Sequence, residues 1–272
     1  MLRDKVILIT GASRGLGRAM AEGLAAAGAH LVLTARRGSE SKLAEVADAI
    51  AKQGAKGRTL QVFGDVANPE DCGAVIDKTR DCFGRLDVLV NNAGLGMDQV
   101  GPLKAKNRQF HQIPIDIWRS IVDTNINGPF LMTRAAMPMF LHQRRGRIIN
   151  VTTTYATMVK EGFCPYGPSK AAAEAMTVIW AKELAETGIT VNSLSPGGGT
   201  DTDLMPLEDW PDRSKLLPAF VMVPPVIWLA SDEAEGITGM RIVAKNWNAA
   251  LPPAEAYKGA SSKVAIGDEI PR

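Results

Sequence analysis

The chain has 272 residues, 46 % of them hydrophobic and 22 % charged, with a net charge of +2. That length and balance suit one large α/β domain or two small ones with a full core. The charge is too small to argue for a nucleic-acid partner, and no apolar stretch reaches the ~18 residues of a membrane span.

The three cysteines, Cys72, Cys82 and Cys164, have no metal-ligand spacing, so no metal is expected and a reducing compartment is. The opening MLRDKVILITG runs straight into a strand-like segment without the long apolar region of a secretion signal, which points to a cytoplasmic protein.

Residues 5–10, KVILIT, are a short β-branched apolar run, the mark of a buried strand. Gly11-Ala12-Ser13-Arg14-Gly15-Leu16-Gly17 follows, then a helical pattern to Gly28. Strand, glycine turn and helix together form a phosphate-binding arrangement. Glycines let the backbone approach a diphosphate, and the helix N-terminus offers unpaired N–H groups and a positive dipole end. The spacing is T-G-x-x-x-G-x-G rather than G-x-G-x-x-G. Residues 30–34 predict a second strand that ends in Ala35-Arg36-Arg37. An acid at such a strand end would bind the free 2′-hydroxyl of NAD. Two arginines, with Arg14 able to point the same way, suit a 2′-phosphate instead. NADP(H) is therefore the expected cofactor.

Residues 39–54 predict a helix and 58–63 a third strand, which leads into Gly64-Asp65-Val66. Asp65 could bond the adenine amino group or cap the turn before Asn68-Pro69. Residues 69–83 read as a helix carrying Cys72 and Cys82 on different faces. Residues 86–90 form a fourth strand, followed by Asn91-Asn92-Ala93-Gly94, amides and small residues of the kind expected beside a cofactor. Residues 95–115 read as a long loop in which Phe110, His111 and Ile113 could border a substrate. From 115 to 143 the pattern is helical, interrupted at Gly128-Pro129 and Pro138. Asn125 lies inside it, and an asparagine in mid-helix is unfavourable unless it has a specific hydrogen-bonding role. The cations of His142-Gln143-Arg144-Arg145-Gly146-Arg147 sit at this helix's end, where they complement its dipole.

Residues 147–152 predict a fifth strand ending at Thr152-Thr153-Thr154, 166–186 a helix, and 189–194 a sixth strand closed by Ser195-Pro196-Gly197-Gly198-Gly199-Thr200. The segment 201–218 is polar, with Leu204, Met205, Leu207, Trp210, Leu216 and Leu217 interspersed, and mildly suggests an uncharged, partly apolar carbonyl substrate. Residues 219–231 read as a helix, MRIVA at 240–244 as the last strand, and 249–272 as an arm or partly disordered tail.

Tyr166 and Lys170 stand four residues apart where a helix begins, so they share one helix face. A phenol with a pKa of about 10 is a poor acid or base near neutrality. A fixed cation nearby favours the phenolate and draws that value down, which makes Tyr166 a candidate general acid/base. Alone, the pair could equally be two surface residues.

Together, TGASRGLG at 10–17, NNAG at 91–94, Asn125, Tyr166-x-x-x-Lys170 and the Pro196-Gly197 turn resemble the short-chain dehydrogenase/reductase family across residues 4–245. The resemblance implies a single-domain, Rossmann-like α/β fold over 1–248, with a doubly wound parallel sheet of about seven strands and helices on both faces. It implies that Tyr166 exchanges a proton with the substrate oxygen and that Lys170 holds the nicotinamide ribose and lowers the Tyr166 pKa. Asn125 would bind a water that relays protons toward Lys170. Gly11, Arg14, Leu16, Asp65, Val66, Asn92, Ala93, Pro196, Gly197 and Thr200 would line the cofactor, with Ser13, Gly15, Gly17 and Gly94 in the same motifs. The family's usual serine thirteen residues before the tyrosine is Thr153 here, whose hydroxyl can donate and accept as serine does; Thr152 or Thr154 could serve if the strand register differs by one. The C-terminal end departs too, with Lys245 and Trp247 where relatives carry a glycine-rich turn.

The expected activity is NADP(H)-dependent reduction of a carbonyl or oxidation of a secondary alcohol by a homodimer or homotetramer paired through the 115–143 and 166–187 helices. A catalytically silent sensor or scaffold of the same fold is the rival. Epimerisation or dehydration through a keto intermediate would need a second acid/base, for which Cys164 and His111 are the only suggestive extras; Cys164 reads instead as a neutral residue of the pocket wall.

Overall fold

The computed structural model describes residues 2–102, 108–205 and 207–265. The N-terminal half alternates β1 (Val6–Thr10), α1 (Gly15–Ala26), β2 (His30–Ala35), α2 (Glu40–Lys52), β3 (Thr59–Phe63), α3 (Pro69–Phe83) and β4 (Val88–Asn91). Two helices, α4 (Ile115–Val122) and α5 (Gly128–Gln143), lead to β5 (Gly146–Val151). A single turn, α6 (Tyr155–Met158), precedes α7 (Tyr166–Glu183), and then come β6 (Ile189–Ser195), α8 (Val223–Ala230), β7 (Met240–Val243), α9 (Pro253–Ala260) and β8 (Ser261–Lys263).

Among the described residues the sheet has eight strands in the order β3-β2-β1-β4-β5-β6-β7-β8. The first seven run parallel. β8 is antiparallel to β7, with Arg241 opposite Ser262. The count of about seven was short by this strand, which comes from the segment read as a tail. Every residue of β1, β4, β5 and β6 is buried, as continuous apolar runs in a two-sided parallel sheet require. One core cluster packs α1, α2 and α8 on one face and a second packs α3 and α5 on the other. The order reverses between β1 and β4, so their carboxyl ends open a crevice, the usual ligand site of such sheets.

Local chemistry sets the helix ends. Asn68 caps α3 by accepting from Asp71 N at 2.9 Å, Pro69 takes the position where no N–H is needed, and Gly84 closes the helix in the left-handed conformation. The predicted 115–143 helix is instead three pieces, because a five-residue π segment, Asp123–Asn127, separates α4 from α5. After α5, Arg144 takes the left-handed turn, Arg145 pairs with Asp232, and the buried Arg147 donates to the carbonyl of Ala234 at 3.0 Å. These cations build the fold.

Candidate active site

The glycine turn is joined to the NNAG segment before any ligand is considered. Asn92 Nδ2 donates to the carbonyls of Thr10 at 2.8 Å and Gly11 at 3.1 Å. Thr10 Oγ1 accepts from the backbone N–H of Asn92 and Ala93, both at 2.9 Å. The approach is close enough to demand glycine at two positions. A Cβ on Gly11, whose φ is +65°, would lie 2.8 Å from Ala93 Cα, and one on Gly17 would lie 2.2 Å from the Gly11 carbonyl oxygen. The first turn of α1 has no side-chain cap, so its N–H groups remain for an anion.

A cavity of about 440 Å³ extends from this turn to Tyr166, within the usual range of small-molecule sites. Of the candidate residues, Gly11, Ser13, Arg14, Gly15, Leu16, Gly17, Arg36, Val66, Asn92, Ala93, Gly94, Thr153, Tyr166, Lys170, Pro196 and Thr200 line it. Four candidates do not. Arg37 is exposed on the outer side of the β2 end. Asp65 caps a turn, its Oδ1 accepting from Ala67 N at 2.9 Å, which was the alternative reading. Gly197 turns away at φ +90°, and a Cβ there would meet Lys245 Cγ at 2.6 Å. Asn125 is buried behind the wall. Its Oδ1 accepts from Leu95 N at 2.8 Å, and its Nδ2 donates to Leu95 O at 2.9 Å and Ser169 Oγ at 3.0 Å. Ser169 in turn donates to the carbonyl of Tyr166 at 2.7 Å. Asn125 thus fastens the loop after NNAG to the first turn of α7.

Phe110, His111 and Ile113 are corrections as well, for none lines the cavity. Phe110 is 74 % exposed and meets His111 edge-on at 5.4 Å, while Ile113 is buried. Cys164 does not line the wall either, and burial pushes its thiol up, away from the thiolate. Thr154, and Thr157, Lys160 and Phe163 from the stretch before Tyr166, line the cavity instead.

Tyr166 is half-buried at the start of α7. Burial pushes its hydroxyl up to about 12, and a hydrogen bond with the Thr153 side chain pulls the other way. The expected lowering by Lys170 does not offset burial, and the ammonium is itself buried. It donates to the carbonyl of Val151 at 2.9 Å and lies 5.9 Å from the Tyr166 ring centre. Burial lowers Lys170 to about 8, opposed by the carboxylate of Glu174.

A family model described as short chain dehydrogenase matches residues 5–210. The chain belongs to the short-chain dehydrogenase/reductase family. It is 37 % identical over 247 residues to a 3-oxoacyl-acyl-carrier-protein reductase of Vibrio cholerae serotype O1, covering 88 % of this chain and 94 % of that one. A reductase of the same name from Synechocystis is 38 % identical over 196 residues, 72 % of this chain and 74 % of that one. The crystal structure of a short-chain dehydrogenase/reductase from Mycobacterium marinum superposes with a TM-score of 0.78 at 31 % identity, covering 89 % of this chain and 94 % of that one.

Short-chain dehydrogenases bind a nicotinamide dinucleotide, and the cradle here fits one. Besides the close-packed glycines and the uncapped α1 terminus, the buried Thr34 hydroxyl lines the cavity with no partner of its own. Residues that sequence reading missed crowd the other end of this short-chain dehydrogenase's cavity. Met97, Asp98 and the buried Arg108 line it, Arg108 donating to the carbonyls of Gly101 at 3.0 Å and Gly162 at 3.2 Å. Loop residues with no periodicity gave no signal for any of them.

Proposed function

We propose that the protein is an NADP(H)-dependent oxidoreductase that interconverts a carbonyl compound and a secondary alcohol. One observation carries the reading: the Tyr166 hydroxyl, beside Thr153, shares a cavity with Lys170 and the glycine turn. The dinucleotide would supply or accept the hydride. Gly11, Ser13, Leu16 and the N–H groups at the start of α1 would hold its diphosphate, and Lys170 its nicotinamide ribose. Arg14 and Arg36 at the cavity's edge favour a 2′-phosphate.

Tyr166 gives a proton to the substrate oxygen in reduction and takes it back in oxidation. A phenol held protonated near neutrality suits the reductive direction. Thr153 orients that oxygen with its hydroxyl, the role a serine fills in relatives. Lys170, with a pKa of about 8, is placed to resupply the proton, and Asn125 would support a water toward it through its main-chain carbonyl. The names of the bacterial relatives make a 3-oxoacyl thioester the first substrate to try. Leu204, Met205 and Trp210 give the cavity an apolar wall.

The enzyme is placed in the cytoplasm as a homodimer or homotetramer. The apolar side chains exposed on its helices, Phe130 and Leu141 on α5 and Ile179 on α7, support pairing. A screen of NADPH oxidation over 3-oxoacyl thioesters, ketones, quinones and sugars tests the activity. NADPH binding without turnover on any of them would favour the silent sensor.

A further inference from the structure

Behind Thr153 lies a charge pair that the proposed chemistry does not use. Glu174, one turn beyond Lys170 on α7, is fully buried, and Arg241 on β7 is 3 % exposed. The two form an ion pair. Taking two charges out of water is costly, and apolar residues of similar volume often serve stability as well. What distinguishes this pair is where its hydrogen bonds go. Glu174 Oε1 accepts from Thr152 Oγ1 at 2.7 Å and Oε2 from Ser193 Oγ at 2.8 Å. Arg241 Nη2 donates to the Thr153 carbonyl at 2.6 Å and to Ser195 Oγ at 3.2 Å. The guanidinium also lies 4.2 Å from the centre of the Tyr155 ring. Every partner belongs to the point where the chain leaves β5, or to the strand beside it.

Other bonds fix the residues on either side of that point: Lys170 Nζ donates to the Val151 carbonyl at 2.9 Å, and the Thr154 side chain caps α6. Ladder pairing of β5 with β6 ends at Val151 and Leu194, and one further bond runs from Thr152 N to Leu194 O at 2.9 Å. Pro196, just beyond β6, has no N–H with which to extend the ladder. The guanidinium supplies a donor to the Thr153 carbonyl, and its rigid fork can face a carboxylate and a carbonyl at once. We propose that Arg241, held by Glu174, is a positioning residue that fixes the Thr153 carbonyl and thereby aims the Thr153 hydroxyl at Tyr166 and the substrate oxygen. The inference rests on the roles proposed above for Thr153 and Tyr166.

A double-mutant cycle separates positioning from simple support of the fold. The proteins compared are wild type, Thr153→Ala, the paired Glu174→Met and Arg241→Met replacement, and all three changes together. The readouts are kcat and KM for reduction of an acetoacetyl thioester, or of the best substrate from the carbonyl screen, with NADPH affinity and melting temperature alongside. The paired replacement is expected to fold and bind NADPH within about twofold of wild type, and to lose about tenfold or more in kcat with KM little changed. In the Thr153→Ala background the same replacement should cost less than about twofold, because the group it aims is gone. Full kcat in the paired variant overturns the proposal. So does an equal cost in both backgrounds, which would mean that the pair only supports the fold. Full activity of Thr153→Ala overturns the reading of Thr153 itself and this inference with it. Should the methionine pair fail to fold, Arg241→Lys takes its place in the cycle. It keeps a charge against Glu174 but loses the fork, and wild-type kcat in that variant overturns the proposal.

Discussion

Tyr166 sits between two opposing influences, burial that pushes its proton affinity up and the Thr153 hydroxyl that pulls it down. Removing the hydroxyl leaves the ring to fill its half-buried site. Tyr166→Phe should therefore lower kcat by about 10²–10⁴-fold while NADPH affinity, measured by fluorescence titration, stays nearly unchanged; unaltered turnover would end the acid/base assignment. Thr153→Ser should remain active and Thr153→Ala should not, by the same assay. Lys170 offers a test in stability. Its folded pKa of about 8 lies below the ordinary 10.5, so between those values the unfolded chain binds more protons than the folded one, and stability rises with pH. Denaturant melts should show wild type gaining on Lys170→Met as pH goes from 7.5 to about 9.5. Tyr166 acts oppositely above pH 10, where the unfolded phenol ionises first. The four-residue spacing of Tyr166 and Lys170 was legible in the sequence because it needs only helix periodicity. The sign of the tyrosine shift was not, because spacing carries no information about burial.

At the scale of elements, the parallel strands were readable because each is an unbroken apolar run between turn residues. The breaks and additions were not. Asp123–Asn127 has no breaker that marks a π segment, although the anomalous Asn125 inside it did signal a special position. α7 buries Ser169, Lys170, Glu174 and Thr177 against the sheet, a polar stripe that hydrophobic periodicity would turn toward solvent. β8 is Ser-Ser-Lys, without any apolar alternation; it is a strand because the edge of β7 offers it partners. The helix before it is held by Tyr257, stacked on Trp228 with ring centres 4.5 Å apart. Tyr257→Ala should cost about 0.5–1.5 kcal/mol beyond the lost apolar area. Calorimetry should record a melting temperature lower by several degrees, while NADPH affinity stays the same.

For the molecule as a whole, the crevice at the β1/β4 reversal was foreseeable from the alternation of strands and helices alone. The proposed cofactor preference rests on its rim. NADPH should raise the melting temperature more than NADH at equal concentration, in proportion to the logarithm of their affinities, and Arg36→Ala should narrow the gap. Equal shifts in wild type would refute the 2′-phosphate reading. Trp118, Phe130, Leu141 and Ile179 leave large apolar side chains exposed on three helices, and exposed apolar faces commonly mark contact surfaces. Sedimentation velocity should find a dimer or tetramer at micromolar concentration, and a monomer there would remove the pairing.

The dependence of the Thr153 carbonyl on residue 241 has a consequence for biosynthesis. A ribosome delivers the glycine turn first, and everything needed to cradle a diphosphate has emerged by residue 94. The threonine's partner follows almost 90 positions after it, and the amide of Ala265, which donates to the Tyr155 hydroxyl at 2.9 Å, comes later still. The part of the site that would align a substrate is therefore the last to be synthesised, and a chain that stopped short of residue 241 would lack the donor that reaches the Thr153 carbonyl.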